Sequence, residues 1–242
     1  MNFPEKIFKY RAFNNLKYVN EIFQKKRLYL AKRKELNDPF EGCNFSVNLG
    51  VAGQGITKAL KVHHPIIEER LDRYRILSLS ENCRSPQMWA HYADNYRGFC
   101  LQFSTLNTFK QIKPVSYIPS DITHEEQKIP GDENKLLEII TDSYFKKCKE
   151  WNYEKEYRIL KPASEEYLEF DIEELETVIL GINISEENKR NEEILINHAQ
   201  KNGIRVLKMF ISNENYKIRF FDYDTKIQYT GRNIEEYECK DI

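Results

Sequence analysis

The sequence predicts an α+β fold, a mostly antiparallel and split sheet with interspersed helices, forming a single domain over residues 1–242. Three observations carry that expectation. Short alternating stretches of β-forming residues recur along the chain, and amphipathic stretches at helical spacing lie among them without strict βαβ order. No Pro/Gly/Ser-rich linker divides the 242 residues, a length long for one domain and short for two.

The elements follow in order. "KIFKYRA" at 6–12 alternates as a strand, and "NNLKYVNEIFQKK" brings Leu16, Val19, Ile22 and Phe23 onto one helical face. "RLYLA" reads as a further strand, and "ELNDPFEGCN" as turn punctuation. One or two short helices interrupted at Pro65 are expected over 54–74, then a strand in "RYRILSLSE". "SPQMWAHYADNYRG" has Ser85 as N-cap, Pro86 at the first helical position, and Gly98 as a left-handed stop. "FCLQF" alternates with Phe99, Leu101 and Phe103 on one side, and "DENKLLEIITDSYFKKC" is helical. "YEKEYRIL" is a strand entered from a loop. The tail reads as strand "TVILGI", a helix from about Ser185 to Lys201, strand "IRVLKMFI", a turn at 213–215 and strand "YKIRFFDYD".

Hydrophobic residues make up 40% and aromatics 13%, enough for a substantial core. Thirty-seven basic and 38 acidic side chains nearly cancel, so no molecule-wide field demands nucleic acid or an anionic membrane. Six of the ten residues from Lys25 to Lys34 are basic, a pattern of a solvated helix end and edge strand that is also compatible with guiding a polyanion. With no apolar leader and no stretch near the roughly 20 apolar residues of a membrane helix, a cytoplasmic protein away from membranes is expected. Cys43, Cys83, Cys100, Cys148 and Cys239 are odd in number and widely spaced, which predicts reduced thiols. No metal site is expected; His63 and His64 are adjacent and point apart, with no further ligand nearby.

Glu154 and Glu156 stand one residue apart in "CKEWNYEKEYRIL". On an extended strand they share a face, with Arg158 following. They are either a solvated charge face or the carboxylates of a catalytic site. A restriction-like nuclease would need a strand-borne Glu-x-Lys beside an Asp, whereas the stretches at 133–135 and 187–189 fall in helical patterns.

Three blocks, "FKYRAF" with "NDPFEG" behind it, "LSLSENCRSPQMWAHYADNYRGFCLQF" and "WNYEKEYRIL", resemble a bacterial family of uncharacterised function, over roughly the first two-thirds of the chain. The layout also resembles the DarT-like ADP-ribosyltransferases, in which an early strand-helix unit, a central serine strand and a late strand with a catalytic Glu surround NAD. That resemblance implies an ADP-ribosyltransferase-like fold and NAD as substrate, and it places Tyr10 and Arg11 at the adenosine side or the pyrophosphate. Ser78 or Ser80 becomes the central serine, and Trp89 and Tyr92, beside His91, become ring faces for nicotinamide, although core packing explains Trp89 as well. Glu156 becomes the carboxylate at the nicotinamide ribose and Glu154 the second carboxylate facing an acceptor. The chain departs from the pattern in having Arg11 where a His-containing form occurs and "SLS" in place of a Ser-Thr-Ser triplet. The function implied is transfer of ADP-ribose to nucleic acid or protein, as a toxin or phage-defence effector with a cognate antitoxin. The alternative is a non-catalytic nucleotide- or partner-binding module in a defence or regulatory system.

Overall fold

The computed structural model describes residues 3–13, 16–42, 46–48, 65–119, 126–128, 133–182, 184–211 and 217–223. The helix expected over 54–64, His63 and His64, the turn at 213–215, Cys43 and Cys239 lie outside them. The chain opens with β1 (Lys6–Arg11), α1 (Leu16–Phe23), β2 (Arg27–Tyr29) and β3 (Ala31–Lys32). There follow β4 (Ser46–Asn48), α2 (Pro65–Leu71), β5 (Tyr74–Ser80), α3 (Pro86–Tyr92) and β6 (Phe99–Ser104). The middle holds β7 (Lys113–Pro114), β8 (Ser116–Ile118), β9 (Glu126–Lys128), α4 (Glu133–Ser143) and β10 (Lys146–Cys148). The remainder is β11 (Glu156–Pro162), β12 (Tyr167–Glu169), β13 (Leu175–Leu180), α5 (Lys189–Lys201), β14 (Arg205–Ile211) and β15 (Ile218–Asp222).

Nine strands join in one open sheet, in the order β15-β14-β13-β6-β1-β5-β11-β7, with β3 also paired to β5. Within it β13 and β14 run parallel and the other neighbours antiparallel. The expected α+β, mostly antiparallel character is therefore present. The sheet is thinnest between β1 and β5, which register only at Phe8 opposite Ser80, whereas β1 runs against β6 from Lys6 to Arg11 and β5 against β11 from Tyr74 to Ser80. Two-stranded ladders β10-β8, β12-β2 and β4-β9 stand apart from the main sheet.

Strand alternation divides the apolar residues between two faces. Ile7, Leu77, Leu79, Phe99, Leu101 and Phe103 pack with Val19, Ile22 and Phe23 of α1 and Leu195, Ile196 and Ala199 of α5. The opposite face carries Phe8, Tyr10, Cys100, Ile179 and Leu207 against Met88 and Trp89 of α3. A third cluster joins α2 to α4 through Ile67, Leu71, Leu136, Ile140 and Tyr144. Among the described residues no helix is long and apolar enough to cross a membrane.

Several expectations are corrected. Pro65 is the first residue of α2, in keeping with a ring that is tolerated where no intrahelical donor is needed. The helix read through to Cys148 ends at Ser143, because Tyr144 turns inward to bond the Leu71 carbonyl and Lys146–Cys148 pair with β8. Ser85 does cap α3, accepting from the Met88 amide, but the stop is a left-handed run at Asp94, Asn95 and Tyr96, not Gly98. The basic stretch is largely paired: Lys25 and Arg27 meet Glu21, Lys34 meets Asp72, and buried Arg33 meets Glu68. Cys100 and Cys148 are free thiols, whereas Cys83 is disulfide-bonded, so the expectation of reduced thiols fails at Cys83.

Candidate active site

One edge of β5 is shared between two strands. β1 meets it at Ser80 and β3 at Arg75 and Ile76, so the interval around Ser78 has no continuous ladder on that side. Backbone groups there still need partners. Lys9 Nζ supplies one, donating to the Ser78 carbonyl at 2.6 Å, and the Tyr10 hydroxyl donates to the Asn82 carbonyl at 2.6 Å. A cavity of about 230 Å³ opens in this interval. Its walls come from β1, β5, β11, Met88 and Tyr92 of α3, Lys147 of β10, and the segment between β3 and Glu41.

The two glutamates reach it by different routes. Glu156 is the first residue of β11 and lies opposite Ser80, so it faces the same way as Ser80, Ser78 and Arg158. Glu154 ends a 3-10 turn over Lys149–Glu154, and Lys155 between them is left-handed, with φ 45°. The Ser80 hydroxyl fastens this bend by donating to the Glu154 carbonyl at 2.6 Å, and the Tyr117 hydroxyl accepts from the Glu156 amide at 2.8 Å. Glu154 is 2% exposed and Glu156 5%. A solvated charge face is thereby excluded.

Around them lies a buried ionic network. Arg158 grips Glu156 through Nε at 2.7 Å and Nη2 at 2.8 Å, and grips Glu41 with its other edge, Nη1 to Oε2 being 2.7 Å. Lys147 Nζ bonds Glu154 at 2.6 Å and stands 3.5 Å from Glu156 and 3.7 Å from Glu41. Tyr92 donates to the other Glu154 oxygen. The network sets the two carboxyl groups apart. Burial by itself would raise Glu156, but the Arg158 guanidinium and its hydrogen bonds, then Lys147 and the Ser78 hydroxyl, hold it at about 2. Burial raises Glu154 above the usual carboxylate range, with the Lys147 ammonium opposing and Glu156 adding to the rise. For Lys147, burial disfavours the charge, yet the carboxylates of Glu156, Glu154 and Glu41 raise it above the ordinary lysine value. Such an arrangement provides one carboxylate that is permanently charged and another more ready to hold a proton.

Seven of the eight expected site residues, Tyr10, Arg11, Ser78, Ser80, Tyr92, Glu154 and Glu156, line the cavity. Trp89 does not: it is fully buried behind Tyr10, edge-to-face at 5.2 Å, with its indole N–H on the Cys83 carbonyl. Of the two serines, Ser78 reaches the Glu156 carboxylate, while the Ser80 hydroxyl serves the main chain. Sequence reasoning missed Lys9, Glu41 and Lys147 as site residues. Glu41 stands in the quoted "NDPFEG" block, where turn chemistry masked it, and Lys147 in a stretch read as helix. Among the described residues no group of three or more His, Cys, Asp or Glu side chains is arranged to hold a metal ion.

A family model described as a protein of unknown function (DUF2971) matches residues 88–159. The matched stretch is similar to an uncharacterised family, as expected, but over a shorter span than the first two-thirds of the chain, and runs from Met88 in α3 to Ile159 in β11. It therefore contains Tyr92, Lys147, Glu154, Glu156 and Arg158. No solved structure matches the chain.

Proposed function

We propose that the chain is an NAD-dependent ADP-ribosyltransferase acting on a macromolecule, nucleic acid or protein. One observation carries the reading. The early basic strand, the central serine strand and the late glutamate strand, drawn from blocks far apart in sequence, are the neighbours β1, β5 and β11, and Arg11, Ser78 and Glu156 open to one cavity. An ADP-ribosyltransferase-like fold is part of the same proposal. Its setting as a toxin or phage-defence effector in the cytoplasm, with a cognate antitoxin, rests on the resemblance alone.

Glu156, fixed and ionised, suits the role of stabilising the oxocarbenium ion that develops as the nicotinamide–ribose bond breaks and nicotinamide leaves with the bonding electrons. An acceptor lone pair then forms the new bond to the anomeric carbon, and the acceptor's proton passes to Glu154. The cavity, about 230 Å³, is below the roughly 300–1,000 Å³ usual for a drug-sized ligand, so it encloses the reacting end of NAD and leaves the adenosine outside. The alternative of a non-catalytic nucleotide-binding module draws support from the same small volume and from carboxylates already engaged by Arg158 and Lys147.

Nicotinamide release separates the two. The purified protein should release nicotinamide from NAD, and mass spectrometry after incubation with labelled NAD should find a modified macromolecule. Glu156→Gln should lower hydrolysis and transfer together, on the order of 10²- to 10³-fold. Glu154→Gln should spare hydrolysis and lower transfer. A wild-type protein that binds NAD without turning it over leaves the binding module standing; one that ignores NAD removes both.

A further inference from the structure

Strand β10 is three residues long, and its parallel pairing with β8, Lys147 opposite Tyr117, turns Lys147 inward while Lys146 and Cys148 stay half-exposed. A lysine is seldom buried unless it is paired, and Lys147 has three carboxylates within reach. Their dependence on it differs. Glu156 and Glu41 are each gripped by two nitrogens of Arg158 and have Lys147 only as a second cation, 3.5 Å and 3.7 Å away. Glu154 has no other cation within ion-pair distance among the described residues: Lys147 Nζ meets its Oε2 at 2.6 Å, and the Tyr92 hydroxyl donates to its Oε1. The Trp151 ring covers the ammonium at 4.7 Å. We propose that Lys147 is the positioning residue of Glu154, holding it as an ionised base turned to the acceptor, so that ADP-ribose passes to a macromolecule and not to water.

Both Glu154 oxygens accept a hydrogen bond, which suits the ionised form, since one oxygen of a protonated carboxyl is a donor. The groups facing Glu154 are Tyr92 from α3, Lys147 from β10, Tyr117 from β8, Glu156 from β11 and Tyr153 from its own turn. Burial raises its proton affinity, the Lys147 ammonium is the largest opposing influence, Glu156 adds to the rise, and the Tyr92 hydrogen bond works with Lys147. Without the ammonium, Tyr92 alone stands against burial and a neighbouring negative charge, and Glu154 draws a proton from solvent. A protonated Glu154 can take none from an acceptor. Glu156, with Arg158 still on both oxygens, stays charged. The inference rests on the roles given to the two glutamates in the proposed function.

NMR of the full chain with isotope-labelled glutamate carboxyls follows Glu154 as pH is changed, its resonance being the one missing from Glu154→Gln. Lys147→Met should raise the proton affinity of Glu154 about tenfold or more and that of Glu156 less, and Lys147→Arg, which keeps the charge, should return Glu154 towards wild type. In wild type the Lys147 ammonium nitrogen should change its signal at the Glu154 midpoint. Labelled NAD is then incubated with total nucleic acid and, separately, total protein of a bacterial extract, and bound label is set against free ADP-ribose as pH falls. Bound label should fade through the Glu154 midpoint, at higher pH in Lys147→Met than in wild type or Lys147→Arg. A fade at one pH in all three proteins, or a Glu154 midpoint indifferent to Lys147→Met, overturns the inference and leaves the transferase standing. Where Lys147→Met does not fold, the wild-type nitrogen signal decides, and one that ignores the Glu154 midpoint overturns the inference. A wild type that releases no nicotinamide removes the transferase and the partition with it, while a raised midpoint in Lys147→Met still supports Lys147 as the counter-ion of Glu154.

Discussion

Arg158 is 1% exposed, and all five of its guanidinium N–H groups are engaged, two on Glu156, two on Glu41 and one on the Tyr144 carbonyl. Only a planar fork can hold two carboxylates edge-on at once. Arg158→Lys should therefore destabilise the fold by about 3–5 kcal/mol, the range for a buried pair losing one partner, because at least one carboxylate is left without compensation. Denaturant unfolding measures this, and a loss under about 1 kcal/mol would show the network to be water-accessible. The same burial revises what the two glutamates do to stability. Inside this network a change of either to Gln is a core change, so rate and stability need separate measurement. That Glu154 and Glu156 serve one site was legible from their spacing. What the spacing does not contain is Glu41, 117 residues from Arg158 along the chain, since ion pairs of that range follow from topology alone.

At the scale of elements, Gly98 illustrates how a correct residue can be read for the wrong reason. It is not left-handed, and a Cβ there would lie 2.1 Å from the Arg11 carbonyl. The glycine is needed for close approach of the turn after α3 to the end of β1. Gly98→Ala should push Arg11 outward, weakening NAD affinity about tenfold or more while costing at least 1–3 kcal/mol of stability, the usual range for overpacking. Titration and melting of one sample read both, and unchanged affinity in a folded variant would show that Arg11 does not hold the ligand. Strands β1, β5, β6, β11, β14 and β15 and helix α5 were legible because alternation or helical spacing ran for several residues. The ends of α3 and α4 were not. Asp94, Asn95 and Tyr96 turn left-handed where an aromatic stripe continued, and Lys146–Cys148 leave a helical pattern because Lys147 is required inside.

For the whole molecule, the site makes acid the weak flank. Glu156 has its carboxyl lowered from about 4.5 unfolded to about 2 folded, so its contribution is complete above 4.5 and disappears as pH falls towards 2. The magnitude is on the order of 3 kcal/mol. Glu154 acts in the opposite sense, since a raised carboxyl takes its proton more readily in the folded state, so acidification does not cost stability through it. Unfolding free energy followed across this interval should fall in wild type and be flatter in Glu156→Gln; parallel curves would place the acid sensitivity elsewhere.

Strand β11 carries site and core on alternate residues: Glu156 and Arg158 face the cavity, and Tyr157 and Ile159 the main apolar cluster. A slip of one residue against β5 would exchange the two sets. It would drive a carboxylate and a guanidinium among Leu77, Leu79 and Val19 while turning an isoleucine towards Lys147. Charges moved into such surroundings cost several kcal/mol each, far more than a shifted ladder recovers. The chemistry of the cavity thus also proofreads the assembly of the sheet, because a nascent chain that mispairs at this strand has no stable state in which to remain.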